Sequence, residues 1–231
     1  MNRIDPEWVG YTAVCIASGP SLTLADTNKV RDWRAQDGCR VIVINDNYTI
    51  CPWADVLYFA DFRWWEHHRE KPFFRDFAGR KVSIENGAGR FIKDGTVLKN
   101  AGQVGGTMGR LSTDPESIYT GSNSGYQAIN VAVLYGCRRI ILLGYDMKAK
   151  EVPIDEPGKA GKRLSNHWFG EHPWPGDPHS YVYFRQEFAR MATTAKLSGL
   201  EILNATPDSA LDCFPMVTLD DVIGAAAALV A

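Results

Sequence analysis

Two short stretches rich in small and hydroxyl-bearing residues have the chemistry to hold an anion. An apolar run, Val14-Cys15-Ile16-Ala17, breaks into Ser18-Gly19-Pro20-Ser21. Further on, Gly121-Ser122-Asn123-Ser124-Gly125 opens onto Tyr126 and another apolar run. Free N–H groups at a helix start, together with the helix dipole, favour a phosphate, and small side chains let it reach the backbone. A chain-reversing turn and an ordinary capped helix account for the same residues more plainly. Neither stretch has the GxGxxG or GxxxxGK[ST] spacing, which argues against a common dinucleotide fold and a Walker-type NTPase.

The remaining candidates lie at the ends of apolar runs. Asn45, Asp46 and Asn47 follow the second such run and suit either the edge of a base or ribose or a set of Asx turns. Asp61 and Asp146 end two others, as ligands for Mg²⁺ or a ribose hydroxyl, or as caps. Lys148, Lys150, Lys159, Lys162 and Arg163 make the segment after Asp146 basic, which fits either a leaving phosphate or a solvated face. His167, His172 and His179 crowd the stretch NHWFGEHPWPGDPH, where an imidazole can serve as a general base. Their spacing is not that of a helical zinc pair, so no metal site is expected. His67 and His68, beside Trp64 and Trp65, read as structural.

The elements that must position these residues follow from hydrophobic periodicity. Strands are expected at Val14–Ala17, Arg40–Asn45, Val56–Ala60, Lys81–Ile84, Arg139–Leu143 and Glu201–Asn204. Helices are expected from an Asp26 or Thr27 cap to about Gln36, and over Arg63–Glu70, Ser124–Tyr135, Tyr181–Ser198 and Leu219–Leu229. Alternation of the two predicts an α/β/α sandwich, Rossmann-like, with a mostly parallel sheet. Ligands of such sheets sit beyond the carboxyl ends of the strands, where the candidate residues fall. Residues 85–120 read as an excursion, with a hairpin at Phe91–Leu98 turning on Asp94-Gly95 and four glycines over Ala101–Arg110. Residues 148–178, polar and without periodicity, read as a lid.

Composition bounds the function. The 231 residues suit one domain, and a net charge of -2 argues against holding nucleic acid by electrostatics. The five cysteines are scattered without a CxxC pair, as in a cytoplasmic protein with reduced thiols. No run is long enough to span a membrane. A homo-oligomer is left open.

Taken together, IASGPSL, VINDN and TGSNSGYQAINVAVLYGCRRIILLGYDM resemble the bacterial CMP-sialic-acid-dependent sialyltransferases. They resemble equally the wider group of motility accessory factor glycosyltransferases and the archaeal 6-hydroxymethylpterin diphosphokinase. The resemblance covers residues 14–61 and 118–147. It implies that Ser18, Gly19, Pro20 and Ser21 wrap a phosphate or ribose and that Asn45 meets the nucleotide. Asn123, Ser124 and Gly125 would meet the phosphates, and Asp146 would position the nucleoside. His179 matches the family's base best by position, with His167 and His172 as rivals. Two departures stand out: Ser18 replaces the asparagine of the sialyltransferase turn, and Met147-Lys148 stands where those enzymes carry tyrosines. Lys148 could take over their electrostatic role. The size and the NATPDSALDCFP ending are also similar to small phage-encoded members. The expected activity is a glycosyltransferase using a nucleotide-activated sugar such as a CMP-nonulosonate, without metal or cofactor, on an unidentified acceptor. The alternatives are a diphosphokinase moving pyrophosphate from ATP with Mg²⁺ at Asp61 and Asp146, and a nucleotide-binding protein without turnover.

Overall fold

In a computed structural model, residues 2–102, 109–153, 161–173 and 180–228 are described. Their centre is an eight-stranded sheet whose neighbouring strands all run parallel. In chain order the strands are β1 (Thr12–Ile16), β2 (Cys39–Ile44), β3 (Val56–Tyr58), β4 (Arg80–Ile84), β5 (Thr96–Asn100), β6 (Ser117–Ile118) and β7 (Arg139–Leu143). The last, β10 (Glu201–Asn204), follows a separate antiparallel pair, β8 (Lys150–Pro153) and β9 (Lys162–Ser165). The order across the sheet is β10-β7-β1-β2-β3-β4-β5-β6.

Strand residues alternate between two apolar layers, as a sheet covered on both faces requires. Ala13, Cys15, Ile42, Ile44, Tyr58 and Val82 face one core, closed by helices α4 (Ser124–Leu134) and α5 (Ser180–Leu197). Val14, Ile16, Val41, Val43, Leu57 and Leu143 face the other. That side is closed by α1 (Leu24–Ala35), α2 (Phe62–His68), α3 (Pro72–Arg75) and α6 (Leu219–Ala228). The expected α/β/α sandwich is therefore formed.

The path of the chain creates the crevice. From β1 it steps outward through β6, then returns over α4 to place β7 on the other side of β1. The strand order reverses between β1 and β7, and such a switch point leaves an opening beyond the strand ends.

Three expectations need correction. The Phe91–Leu98 hairpin does not form: β5 pairs parallel with β4, and β6 with β5, so these two strands extend the sheet rather than leave it. Asp94-Gly95 turns the chain into β5, where a Cβ on Gly95 would lie 2.8 Å from the Lys81 carbonyl. The cap of α1 is Thr23, whose side chain accepts from the Asp26 amide, earlier than the Asp26 or Thr27 expected. Residues 148–178 are not without regular structure, since β8 and β9 pair within them. Short strands with one buried residue, such as β5 with Leu98, leave too little periodicity to read.

Candidate active site

A cavity of about 410 Å³ opens at the switch point. Its wall includes Ser18, Gly19, Asn45, Asp61, Asn123, Ser124, Gly125, Asp146, His167 and His172. Ten residues singled out in the sequence thus meet around one space, although they come from six separate segments. Trp64, Asn166, Ser180, Tyr181 and Phe184 complete part of the wall, and none of these was foreseen as a site residue.

The first turn is built against the β7 turn. The Ser21 amide and hydroxyl donate to the two carboxylate oxygens of Asp146 at 3.0 and 2.9 Å. Gly19 N–H donates to the Gly144 carbonyl at 2.9 Å. A Cβ on Gly19 would lie 1.9 Å from Asp146 Oδ2, so only glycine fits. Burial raises the Asp146 carboxyl above its ordinary range, while the Ser21 bonds oppose the rise. Asp146 is thus first a staple for the turn, and Pro20 and Ser21 shape the wall without forming it.

The start of α4 supplies the donors. Asn123 is the cap: its side-chain oxygen accepts from Tyr126 N at 2.8 Å. Ser124 and Gly125 border the cavity, and their amides, in the first helical turn, have no intrahelical acceptor. The Tyr145 hydroxyl supports this turn from below by donating to Gly125 O at 3.1 Å. Backbone of the left-handed class lines the same edge, at Asn45, Gly121, Ser122, Gly144 and Met147. Such conformations in non-glycine residues persist where surrounding structure holds them, and they concentrate at functional sites. Asn45 Oδ1 is buried and, among the described residues, lacks a hydrogen-bond partner.

Asp61 is half spent as a cap. Its Oδ1 accepts from Trp64 N at 2.9 Å at the head of α2. Neither Asp61 nor Asp146 therefore offers an uncommitted carboxylate pair for Mg²⁺. Among the described residues no three His, Cys, Asp or Glu side chains are placed to hold a metal ion.

The histidine loop closes one side. Trp168 N donates to Ser18 O at 3.0 Å, and its indole donates to Asn47 Oδ1 at 2.7 Å. Asn47 is buried and itself donates to Ile16 O. This docking sets His167 Nδ1 3.2 Å from the Ser18 hydroxyl, with Ser18 only 8% exposed. Burial, and then the neighbouring His172, push His167 down to about 4. Burial also lowers His172, against the pull of Asp46, Glu171 and Asp61. Both rings are neutral at neutral pH and able to accept a proton.

Two sequence candidates stand apart. Lys148 is ion-paired with Asp208 at 2.8 Å and does not border the cavity. His179 lies outside the described residues. Asp46 and His68 were undervalued, because a carboxylate within an Asn-rich turn and a histidine within a tryptophan-rich helix both look structural in sequence.

No protein-family model matches the chain, and no curated protein matches it. Among solved structures it is similar to the MAf glycosyltransferase from Magnetospirillum magneticum AMB-1, with a TM-score of 0.59 and 12% identity. The match covers 98% of this chain and 38% of that one, so the chain spans well under half of that protein's length. The likeness is one of fold: a parallel sheet between helices, of a kind that a glycosyltransferase uses. No helix among the described residues is long and apolar enough to cross a membrane.

Proposed function

We propose that the chain is a glycosyltransferase that takes its sugar from a nucleotide donor, a CMP-nonulosonate being the donor class to try first. The observation that carries this reading is the meeting, in one cavity, of Ser124 and Gly125 at the start of α4 with the imidazoles of His167 and His172. The amides suit the phosphate of a donor, with the α4 dipole behind them. Asn45 Oδ1, buried and without a hydrogen-bond partner among the described residues, suits an N–H or O–H of the base or ribose. A histidine suits the proton of an acceptor hydroxyl as the nucleotide departs. Asp146, both of whose carboxylate oxygens accept from Ser21, favours this reading over a Mg²⁺-dependent diphosphokinase. The fold shared with a glycosyltransferase supports the same side.

The test is product formation. Purified chain is incubated with CMP-nonulosonate and a panel of acceptor glycans, with and without a chelator, and products are read by mass spectrometry. Transfer or donor hydrolysis that survives chelation supports the reading. Pyrophosphate transfer from ATP that chelation abolishes would replace it with the diphosphokinase.

A further inference from the structure

One carboxylate stands at the centre of the histidines, outside the cavity wall. Asp46, in the short 3-10 turn that follows β2, has a side chain 16% exposed. Its Oδ2 accepts from Trp64 Nε1 at 2.7 Å and lies 4.0 Å from His172 Nδ1. Its Oδ1 lies 3.4 Å from His68 Nε2. His68 is in turn fixed from two sides: its Nδ1 meets the Tyr48 hydroxyl at 2.8 Å, and its ring stacks on Trp64 at 4.2 Å. Asp46 is therefore gripped on its far side by α2 and the 3-10 turn, and faces the cavity loop through His172.

From this geometry we infer that Asp46 is the positioning carboxylate for His172, and that His172 rather than His167 receives the acceptor proton. The inference rests on the transferase reading for its reaction, though not for the pairing itself. The two cavity histidines differ in what stands behind them. Asp46 acts on both rings, but the near polar partner of His167 is the Ser18 hydroxyl, a dipole, whereas His172 stands within ion-pair range of the carboxylate itself. When one ring must become a cation in a buried site, the ring beside a carboxylate is favoured, because opposite charge offsets the desolvation of the charged form.

The step balances as follows. The acceptor hydroxyl oxygen gives an electron pair to the anomeric carbon of the donor sugar and loses its proton to the His172 ring. The anomeric C–O bond breaks, and its electron pair leaves with the nucleotide phosphate oxygen. The imidazolium, held against Asp46, later releases the proton to water. Groups facing His172 set its titration: Asp46, Glu171 and Asp61 favour the charged ring, while His67 and His167 oppose it.

The experiment compares wild type with Asp46→Asn and Asp46→Glu, each checked for an unchanged melting curve. Asparagine keeps an oxygen for the Trp64 indole, removes the charge, and turns the oxygen facing His68 into an amide donor, which the melting curve checks. In the first arm, histidine titrations are followed by NMR without any substrate. The His172 midpoint is expected to fall by about one pH unit in Asp46→Asn, more than that of His167, and to return in Asp46→Glu. An unmoved His172 overturns the pairing. In the second arm, kcat should drop at least about tenfold in Asp46→Asn, part of the 10²–10⁴ that a base contributes. Donor affinity should stay within about twofold, and the acid limb of the rate profile should follow the NMR midpoint. Full turnover in His172→Ala, with loss in His167→Ala, overturns the choice of ring. If wild type turns over no donor, the transferase reading fails, and the NMR arm still decides whether Asp46 and His172 are coupled.

Discussion

Replacing Gly19 with alanine tests whether the first turn is held as tightly as its contacts imply. The new methyl carbon would sit 1.9 Å from Asp146 Oδ2 and 2.4 Å from the Gly144 carbonyl, and the latter is backbone that cannot rotate away. Relief therefore has to come from moving one turn off the other, which breaks the two Ser21 bonds to Asp146. Overpacking of this kind costs about 1–3 kcal/mol. Bonds to a charged group contribute about 1.5–3 kcal/mol. The two losses overlap, so about 3 kcal/mol in total is expected. For a chain of this size that lowers the melting temperature by about 6–12 °C. Gly224→Ala serves as the control: it lies in α6 with nothing among the described residues within 4 Å of its added carbon, and should gain about 0.5–1 kcal/mol. Differential scanning calorimetry reads both. A Gly19→Ala melt within about 2 °C of wild type would refute the close approach of the two turns.

Stability should depend on pH through His167. Its folded ring titrates near 4 against an ordinary 6.5, so above pH 6.5 both states are neutral and nothing is lost. Between those values the unfolded chain binds a proton that the folded one resists, and stability falls as pH drops, by up to about 3 kcal/mol. Urea midpoints at pH 7 and 4.5 should differ less in His167→Gln, and an equal difference would sink the assignment. Trp168→Phe removes the indole bond to buried Asn47 and should cost about 1–3 kcal/mol while loosening the histidine loop. Hydrogen exchange should show faster exchange across 165–173, and unchanged rates there would mean that the loop does not depend on this anchor.

Much of this architecture is written in local signals. Valine and isoleucine runs flanked by Ser-Gly-Pro, Asn and Gly mark β1, β2 and β7, and each is buried on both sides as such runs demand. Asn123 as cap and Gly136 as stop delimit α4, the glycine in the left-handed conformation the position calls for. Because strand ends in a parallel sheet fall along one edge, the share of the cavity wall at Ser18, Gly19, Asn45, Asp61 and Asp146 followed from the strand assignments. What local signals missed depends on distant partners. The Ser21 side chain serves Asp146, across 125 positions, and Trp168 serves Asn47, across 121. Asp46 gains its meaning from Trp64, His68 and His172, which no spacing rule brings together. The strands β5 and β6 were lost for a related reason: each is defined by the neighbour it pairs with rather than by its own pattern.

The central claim is that the start of α4, through its first-turn amides together with the Ser124 hydroxyl, holds the phosphate of a nucleotide. Calorimetric titration of CMP into wild type and Ser124→Ala, without added metal, tests it most directly. Asn123 makes the capping bond, so the variant should keep its fold. Wild type should bind saturably, with a cytidine nucleotide preferred over ATP. The variant should bind about 10- to 100-fold more weakly, the loss of one hydrogen bond to a charged group. No heat with CMP, CTP, ATP or a UDP-sugar at millimolar concentration, or equal affinity in the two proteins, would contradict the claim.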